Sequence, residues 1–343
     1  MRHFRDWLCE RWYTPRFSLA LFWLLPFAAL FAALIFLRRL CYASGLLRAE
    51  RLPVPVIVIG NLTVGGTGKT PLVLALAEAL REKGWRPGII SRGYGGRHTR
   101  NSREPCLVLP DADPLETGDE PLLLARRSGL PVWIGRDRRS AGVALLAAHP
   151  ETDCLLCDDG LQHYRLARDL EIVVFDERGC GNGCLLPVGP LREPVSRLDR
   201  ADILITRGSP ELPNKAARVK PGFAMRLEAG DCYRLTDPSE RRPVSDFRAQ
   251  PLHAVAGIGH PARFFSTLEN LGLACTPHPF PDHHPYTPED LAFPSGETIL
   301  MTEKDGVKCA RLNLPNAWVL PVTARISPEF VAFVVARIRE KTL

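Results

Sequence analysis

The chain has 343 residues, 45% of them hydrophobic and 24% charged, a composition that excludes wholesale disorder and a cross-linked mini-protein. Its length exceeds the roughly 100–200 residues of an ordinary domain, so two lobes are expected. The net charge of +6 is too mild to point to nucleic acid but suits phosphates or a membrane surface.

From Phe17 to Leu37 the chain carries no charge, and at about 1.5 Å per residue this stretch roughly matches a bilayer core. Arg2, Arg5, Arg11 and Arg16 precede it, Arg38, Arg39, Arg48 and Arg51 follow it, and Trp7, Trp12, Tyr13 and Trp23 stand where interfacial aromatics belong. Both flanks are basic, so charge does not set an orientation. A cleaved export signal would have a shorter apolar core and would separate a nucleotide-binding body from its nucleotide. Pro26 predicts a kink midway, which leaves a span, a bent insertion and an in-plane helix open, with a buried core helix as the plain alternative. Membrane association through residues 1–50 is the expectation.

The β-branched run Val56 to Ile59 reads as a buried parallel strand, and Leu72 to Arg81 as an amphipathic helix. Between them stands Thr63-Val64-Gly65-Gly66-Thr67-Gly68-Lys69-Thr70. Strand, glycine-rich loop and helix start are the parts of a phosphate cradle. The glycines let backbone N–H groups approach phosphate oxygens, Lys69 suits the β and γ phosphates, and the Thr70 hydroxyl suits Mg²⁺. The strict form of this motif has a glycine where Thr63 stands.

Strand and helix patterns then alternate through Gly88 to Ile90, Val132 to Ile134, Ala141 to Ala148, Cys154 to Cys157 and Ile172 to Phe175, with Ile203 to Thr206 as the expected last strand. Cys154-x-x-Cys157 and Cys180-x3-Cys184 have a spacing that zinc uses, yet Cys154 to Cys157 is an apolar run, and buried, reduced thiols are the preferred reading. Asp158 and Asp159 follow that strand, where carboxylates can hold Mg²⁺ beside a phosphate loop. Past residue 208, Phe223 to Leu227 and His253 to Gly259 read as strands, the second leading into a helix at Pro261 to Leu271. The expected fold is therefore α/β: a P-loop kinase-like parallel sheet flanked by helices in 51–208, a smaller α/β lobe in 209–343, and an N-terminal membrane-associated helix.

Seven segments in order, Val56 to Pro71, SRGYGG at Ser91, GDEP at Gly118, DDGLQH at Asp158, LLPVGPLREP at Leu185, DHH at Asp282 and TEKD at Thr302, resemble the tetraacyldisaccharide 4′-kinase (LpxK) family of lipid A biosynthesis. Thr63 belongs to that family's own form of the loop. The resemblance implies transfer of the ATP γ-phosphate to the 4′-hydroxyl of tetraacyldisaccharide 1-phosphate, giving lipid IVA, with Mg²⁺ as the metal. It also implies the cytoplasmic face of a Gram-negative inner membrane, where four acyl chains hold the acceptor and lipid headgroups meet the basic flanks. It points to Asp119 and His283 as the proton-accepting pair, with His284 as the alternative neighbour, and places Arg192 and Glu193 near the phosphates, Arg192 spreading transition-state charge and Glu193 assisting the metal. Arg92, Gln162 and His163 are read as substrate contacts. Two rival functions stay open: a membrane ATPase or GTPase switch, although no N-K-x-D guanine motif is present, and a soluble-metabolite kinase with an incidental apolar tail.

Overall fold

The computed structural model describes residues 2–14, 18–208, 221–294 and 296–342; Arg16 and Phe17, at the edge of the expected apolar segment, lie outside them. Helix α1 (Arg2–Trp12) leads to a 3₁₀ segment, Leu19–Leu24, and then to α2 (Leu25–Ala43). Pro26 stands in the first turn of α2, where the 3₁₀ segment of one continuous helical run, Leu19–Ala43, gives way to α-helix and a residue without an N–H is tolerated. Leu21 and Leu24 are buried against Trp12 and Val188, and Trp12 Nε1 donates to the Pro187 carbonyl at 3.0 Å. Along α2 the half-buried positions Ala28, Phe31, Ala32, Ile35, Arg39 and Tyr42 form a stripe at helical spacing, while Leu30, Leu34 and Leu37 are exposed. At its far end Arg38 donates to the Gln162 carbonyl at 2.9 Å and the Tyr42 ring packs edge-on against Tyr164.

The first sheet collects β1 (Val56–Gly60), β2 (Pro87–Ser91), β3 (Cys106–Leu107), β4 (Val132–Ile134), β5 (Cys154–Asp158), β6 (Leu170–Phe175), β7 (Ile203–Arg207) and β8 (Gly222–Ala229). The central strand β1 lies between two parallel partners, β5 and β6, with both faces covered, which is why its sequence is apolar without alternation. Cys154 and Cys157 are buried in β5, in keeping with the thiol reading.

Helices α3 (Lys69–Glu82), α4 (Arg97–Asn101), α5 (Pro114–Thr117), α6 (Asp119–Ser128) and α7 (Arg138–Ala148) join these strands. On one face of the sheet Leu72, Leu76 and Leu80 of α3 share a core with Leu122 and Leu124 of α6. Each such side chain contributes roughly 1.5–3 kcal/mol through burial. On the other face Ala141 and Leu145 of α7 pack with Val58 and Leu155.

The second sheet holds β9 (Cys232–Arg234), β10 (Arg241–Arg242), β11 (Leu252–Ala256), β12 (Thr276–Pro279), β13 (Thr298–Thr302) and β14 (Ala317–Leu320), with α8 (Pro261–Asn270) after β11 and α9 (Glu303–Cys309) after β13. The chain then returns as β15 (Val322–Arg325) and α10 (Pro328–Thr342). Among the described residues the first sheet is nine-stranded, in the order β15-β8-β7-β6-β1-β5-β2-β4-β3, and the second is six-stranded.

This corrects two expectations. Ile203 to Thr206 is not the last strand of the first sheet, because β8 pairs in parallel with β7 and β15 pairs antiparallel with β8. The 209–343 lobe is likewise interrupted, since β8, β15 and α10 belong to the first core, where Phe330, Val334 and Ile338 meet Leu72 and Leu76. A half-buried strand such as Phe223 to Leu227 reads the same in either sheet, so long-range pairing alone assigns it.

Candidate active site

The loop after β1 turns because Gly65 and Gly68 take φ of +95° and +93°, backbone that a side chain rarely adopts. Gly68 caps α3, so Lys69 and Thr70 open that helix with its N-terminal amides facing the loop. Lys69 Nζ donates to Asn61 Oδ1 at 3.1 Å and lies 3.5 Å from Asp159 Oδ1. Asn61 is fully buried, and its Oδ1 also accepts from Arg192. Thr67 is buried with its hydroxyl unpartnered, and Thr70 is buried. Thr63 and Val64 are drawn the other way: Thr63 bridges Leu191, and Val64 N–H donates to the Pro190 carbonyl at 2.9 Å. The cradle thus narrows to Gly65 through Thr70, with the two preceding residues anchoring it to the LLPVGPLREP loop.

The two aspartates at the end of β5, Asp158 within it and Asp159 just beyond, differ in kind. Asp159 receives both terminal nitrogens of Arg192, at 3.0 and 2.9 Å. Burial would raise its pKa, but Lys69 and then Arg192 outweigh that and hold it well below the usual range. Asp158 is 1% exposed and neither of its oxygens has a hydrogen-bond partner. Burial first, and then the Glu120 charge, push its pKa up to about 7.

An orphaned buried carboxylate at the end of β5 and a threonine hydroxyl at the start of α3 are donors that fit a small hard cation. Among the described residues no cluster of three or more His, Cys, Asp or Glu could hold a metal alone. The donor set therefore suits Mg²⁺, which keeps water and phosphate oxygens among its ligands.

Across the cleft, His283 Nδ1 lies 3.0 Å from each oxygen of Asp119, a residue 164 positions away. Asp119 opens α6 and is 4% exposed. Burial works to raise its pKa, yet the His283 hydrogen bond and the Lys304 charge bring it down to about 2. The same hydrogen bond raises the His283 pKa. His284 points elsewhere, to Asp290 at 3.0 Å. Lys304, the first-lobe-facing cation of α9, pairs with Glu120 next to Asp119, and Arg127 pairs with Glu303, so α6 and α9 are stitched by ions. Among the described residues, Asp159 and His283 are the non-glycine residues with positive φ, 47° and 60°. Such backbone strain gathers where surrounding structure holds a side chain in place.

The remaining expected residues divide. Arg92 lines a cavity of about 520 Å³ with Tyr94, Arg100, Arg136, Asp282 and His283. Gln162 Nε2 donates to the Asn61 carbonyl at 3.1 Å, linking the end of α2 to the loop. His163 sits against Asp137, the cap of α7, at 3.1 Å, and burial together with Arg138 lowers its pKa to about 4. Glu193 is 3% exposed, with one carboxylate oxygen held by Tyr164 and Arg197 and the other buried without a hydrogen-bond partner. Its neighbour Arg192 turns to Asp159 while Glu193 turns inward, which their adjacency in sequence conceals. Asn61, Glu120 and Lys304 were missed as site residues, although each lies within or beside a motif that was noticed.

The family described as tetraacyldisaccharide-1-P 4′-kinase (LpxK) matches residues 20–339. The chain is 54% identical over 337 residues to the tetraacyldisaccharide 4′-kinase of Dechloromonas aromatica (strain RCB), covering 97% of each chain. To the enzyme of the same name from Azoarcus sp. (strain BH72) it is 55% identical over 306 residues, covering 88% of this chain and 87% of that one. Among solved structures, it resembles the crystal structure of the "apo" form of LpxK from Aquifex aeolicus in complex with ATP, at 32% identity and a TM-score of 0.76, covering 92% and 98% of the two chains.

Proposed function

This chain belongs to the tetraacyldisaccharide 4′-kinase (LpxK) family, and on that premise we propose how its own residues move the ATP γ-phosphate to the 4′-hydroxyl of tetraacyldisaccharide 1-phosphate. The protein is an ATP-dependent phosphotransferase of lipid A biosynthesis. The triphosphate lies in the Gly65 to Thr70 cradle, with Lys69 against its β and γ phosphates. Arg192, held by Asp159, is aimed at the same place, where negative charge spreads during transfer. Thr70 and Asp158 would hold Mg²⁺, which when bound supplies positive charge between phosphate oxygens.

Asp119 and His283 act as one unit on the attacking hydroxyl. The unit must be short of one proton to accept another, and the hydrogen bond between them raises its basicity above that of a lone imidazole. The cavity beside His283, bordered by Arg92, Arg100 and Arg136, receives the headgroup. A four-chain acceptor stays in its bilayer, so the kinase works at the cytoplasmic face of the inner membrane, where ATP is found. Because both ends of α2 are tied to the body, at Val188 and at Gln162, the helix lies along the interface with Leu30, Leu34 and Leu37 toward the acyl chains.

The observation that carries this reading is the Asp119–His283 hydrogen bond, 3.0 Å between residues from α6 and from the turn beyond β12. Its test supplies γ-labelled ATP with detergent-dispersed disaccharide 1-phosphate and locates the label. Label at the 4′ oxygen is expected; release of all label as inorganic phosphate would leave a nucleotide hydrolase instead.

A further inference from the structure

One buried carboxylate and two arginines near the phosphate loop have no part in the chemistry above. Asp176 directly follows β6 and is 1% exposed. It accepts from Arg178 Nη2 at 2.6 Å and Nε at 3.0 Å, and from Arg263 Nη2 at 2.7 Å. Arg178 belongs to the first lobe, whereas Arg263 projects from α8 of the second. Both guanidinium groups then reach one further acceptor, the carbonyl of Gly66, at 3.1 Å from Arg178 and 3.0 Å from Arg263. Arg263 also meets Glu177 at 3.0 Å, and Arg178 lies over the Tyr13 ring, 4.8 Å from its centre. Neighbouring carbonyls are held too: Tyr13 donates to Val64 at 3.4 Å and Asn61 to Gly65 at 3.4 Å.

A trans peptide holds its C=O and N–H in one plane, pointing in opposite directions. Two charged donors on the Gly66 oxygen therefore turn the Thr67 N–H away from both arginines, to the inner side of the loop. Next to glycines that orientation is otherwise cheap to lose. A phosphate cradle works only when such N–H groups converge.

We propose that Asp176, Arg178 and Arg263 form a positioning clamp on the Gly66–Thr67 peptide, with Arg263 applying it from the second lobe. Seating of the second lobe and readiness of the loop for phosphate are then one event. The clamp rests on the nucleotide reading above and adds residues that neither touch the acceptor nor accept its proton. Asp176 holds the two guanidinium groups side by side, since without a shared carboxylate like charges this close would separate.

The test measures ATP affinity by competition with a fluorescent nucleotide, and KM for ATP and for acceptor, in wild type, Arg263→Gln, Arg178→Gln, the double variant and Arg263→Lys. Each single Gln variant is expected to weaken ATP binding about tenfold, the scale of losing one charge-assisted hydrogen bond. The double variant should lose little more than either single one, because both arginines act through one carbonyl. Arg263→Lys should regain part of the loss, while acceptor KM and the thermal midpoint without nucleotide stay close to wild type. Unchanged ATP affinity in Arg263→Gln would overturn the clamp, as would multiplicative losses in the double variant or a parallel fall of midpoint and acceptor binding. A wild-type protein unable to bind ATP would instead remove the parent reading.

Discussion

The phosphate loop draws its groups from one short segment, Asn61 to Thr70, whereas the proposed proton-accepting pair joins residues 164 positions apart, one opening α6 and the other in a turn beyond β12. In the loop, positive-φ glycines and the first turn of α3 place the amides and Lys69 together by local geometry. In the pair, Asp119 is set by α6 and His283 by a strained turn beyond β12, while ion pairs join α6 to α9 beside them. A contiguous site depends on the rest of the fold only at the few points where it is held from outside, here the Gly66 carbonyl reached by Arg263. A site divided between lobes depends on every contact that keeps the lobes in register, and its groups also shift each other's protonation.

Four measurements set the two halves against each other. Lys69→Ala should lower kcat on the order of 10³-fold or more, the scale of removing a phosphate-bound cation, with the thermal midpoint nearly unchanged. Asp119→Ala should cost on the order of 10²–10³ in kcat while ATP affinity stays near wild type, since the loop is intact. A comparable loss of ATP binding would show that the halves are not separable. Glu120→Gln, which leaves Lys304 without its carboxylate, should lower kcat about tenfold through misalignment of the neighbouring pair; an unchanged kcat would mean that the α6–α9 ion pairs do not set the site's geometry.

The smallest effect is a shift in pH dependence. His283 must lose its proton before the pair can accept one, and the Asp119 carboxylate raises its pKa. The rate should therefore climb with pH through a value above the usual histidine range, and in Asp119→Asn the residual activity should show that limb moved toward lower pH. A limb that does not move would show that the titrating group is another.

Much of this was legible beforehand where a residue's role follows from its neighbours in the chain. The run Val56 to Ile59 could only be a strand covered on both faces, and Gly65, Gly66 and Gly68 before Lys69 could only make a tight, amide-rich turn. Where several neighbours give the same local signal, reading failed. Asp158 and Asp159 look interchangeable until the fold gives Asp159 to Arg192 and leaves Asp158 bare. Arg192 and Glu193 are adjacent, yet Arg192 meets Asp159 while one oxygen of Glu193 meets Tyr164 and Arg197. Pro26 sits midway in the apolar stretch, where a 3₁₀ segment whose Leu21 and Leu24 are buried with Val188 gives way to α-helix.

The amino-acid order by itself thus determined the strands, the phosphate loop and the apolar helix, all properties of short-range backbone sterics and of apolar spacing along one element. Only the tertiary structure decided that β8 and β15 return to the first sheet, that His283 and not His284 meets Asp119, and that Arg263 reaches the loop from the far lobe. Those outcomes depend on desolvation and charge between groups distant in the chain, and such interactions exist only once the chain has folded.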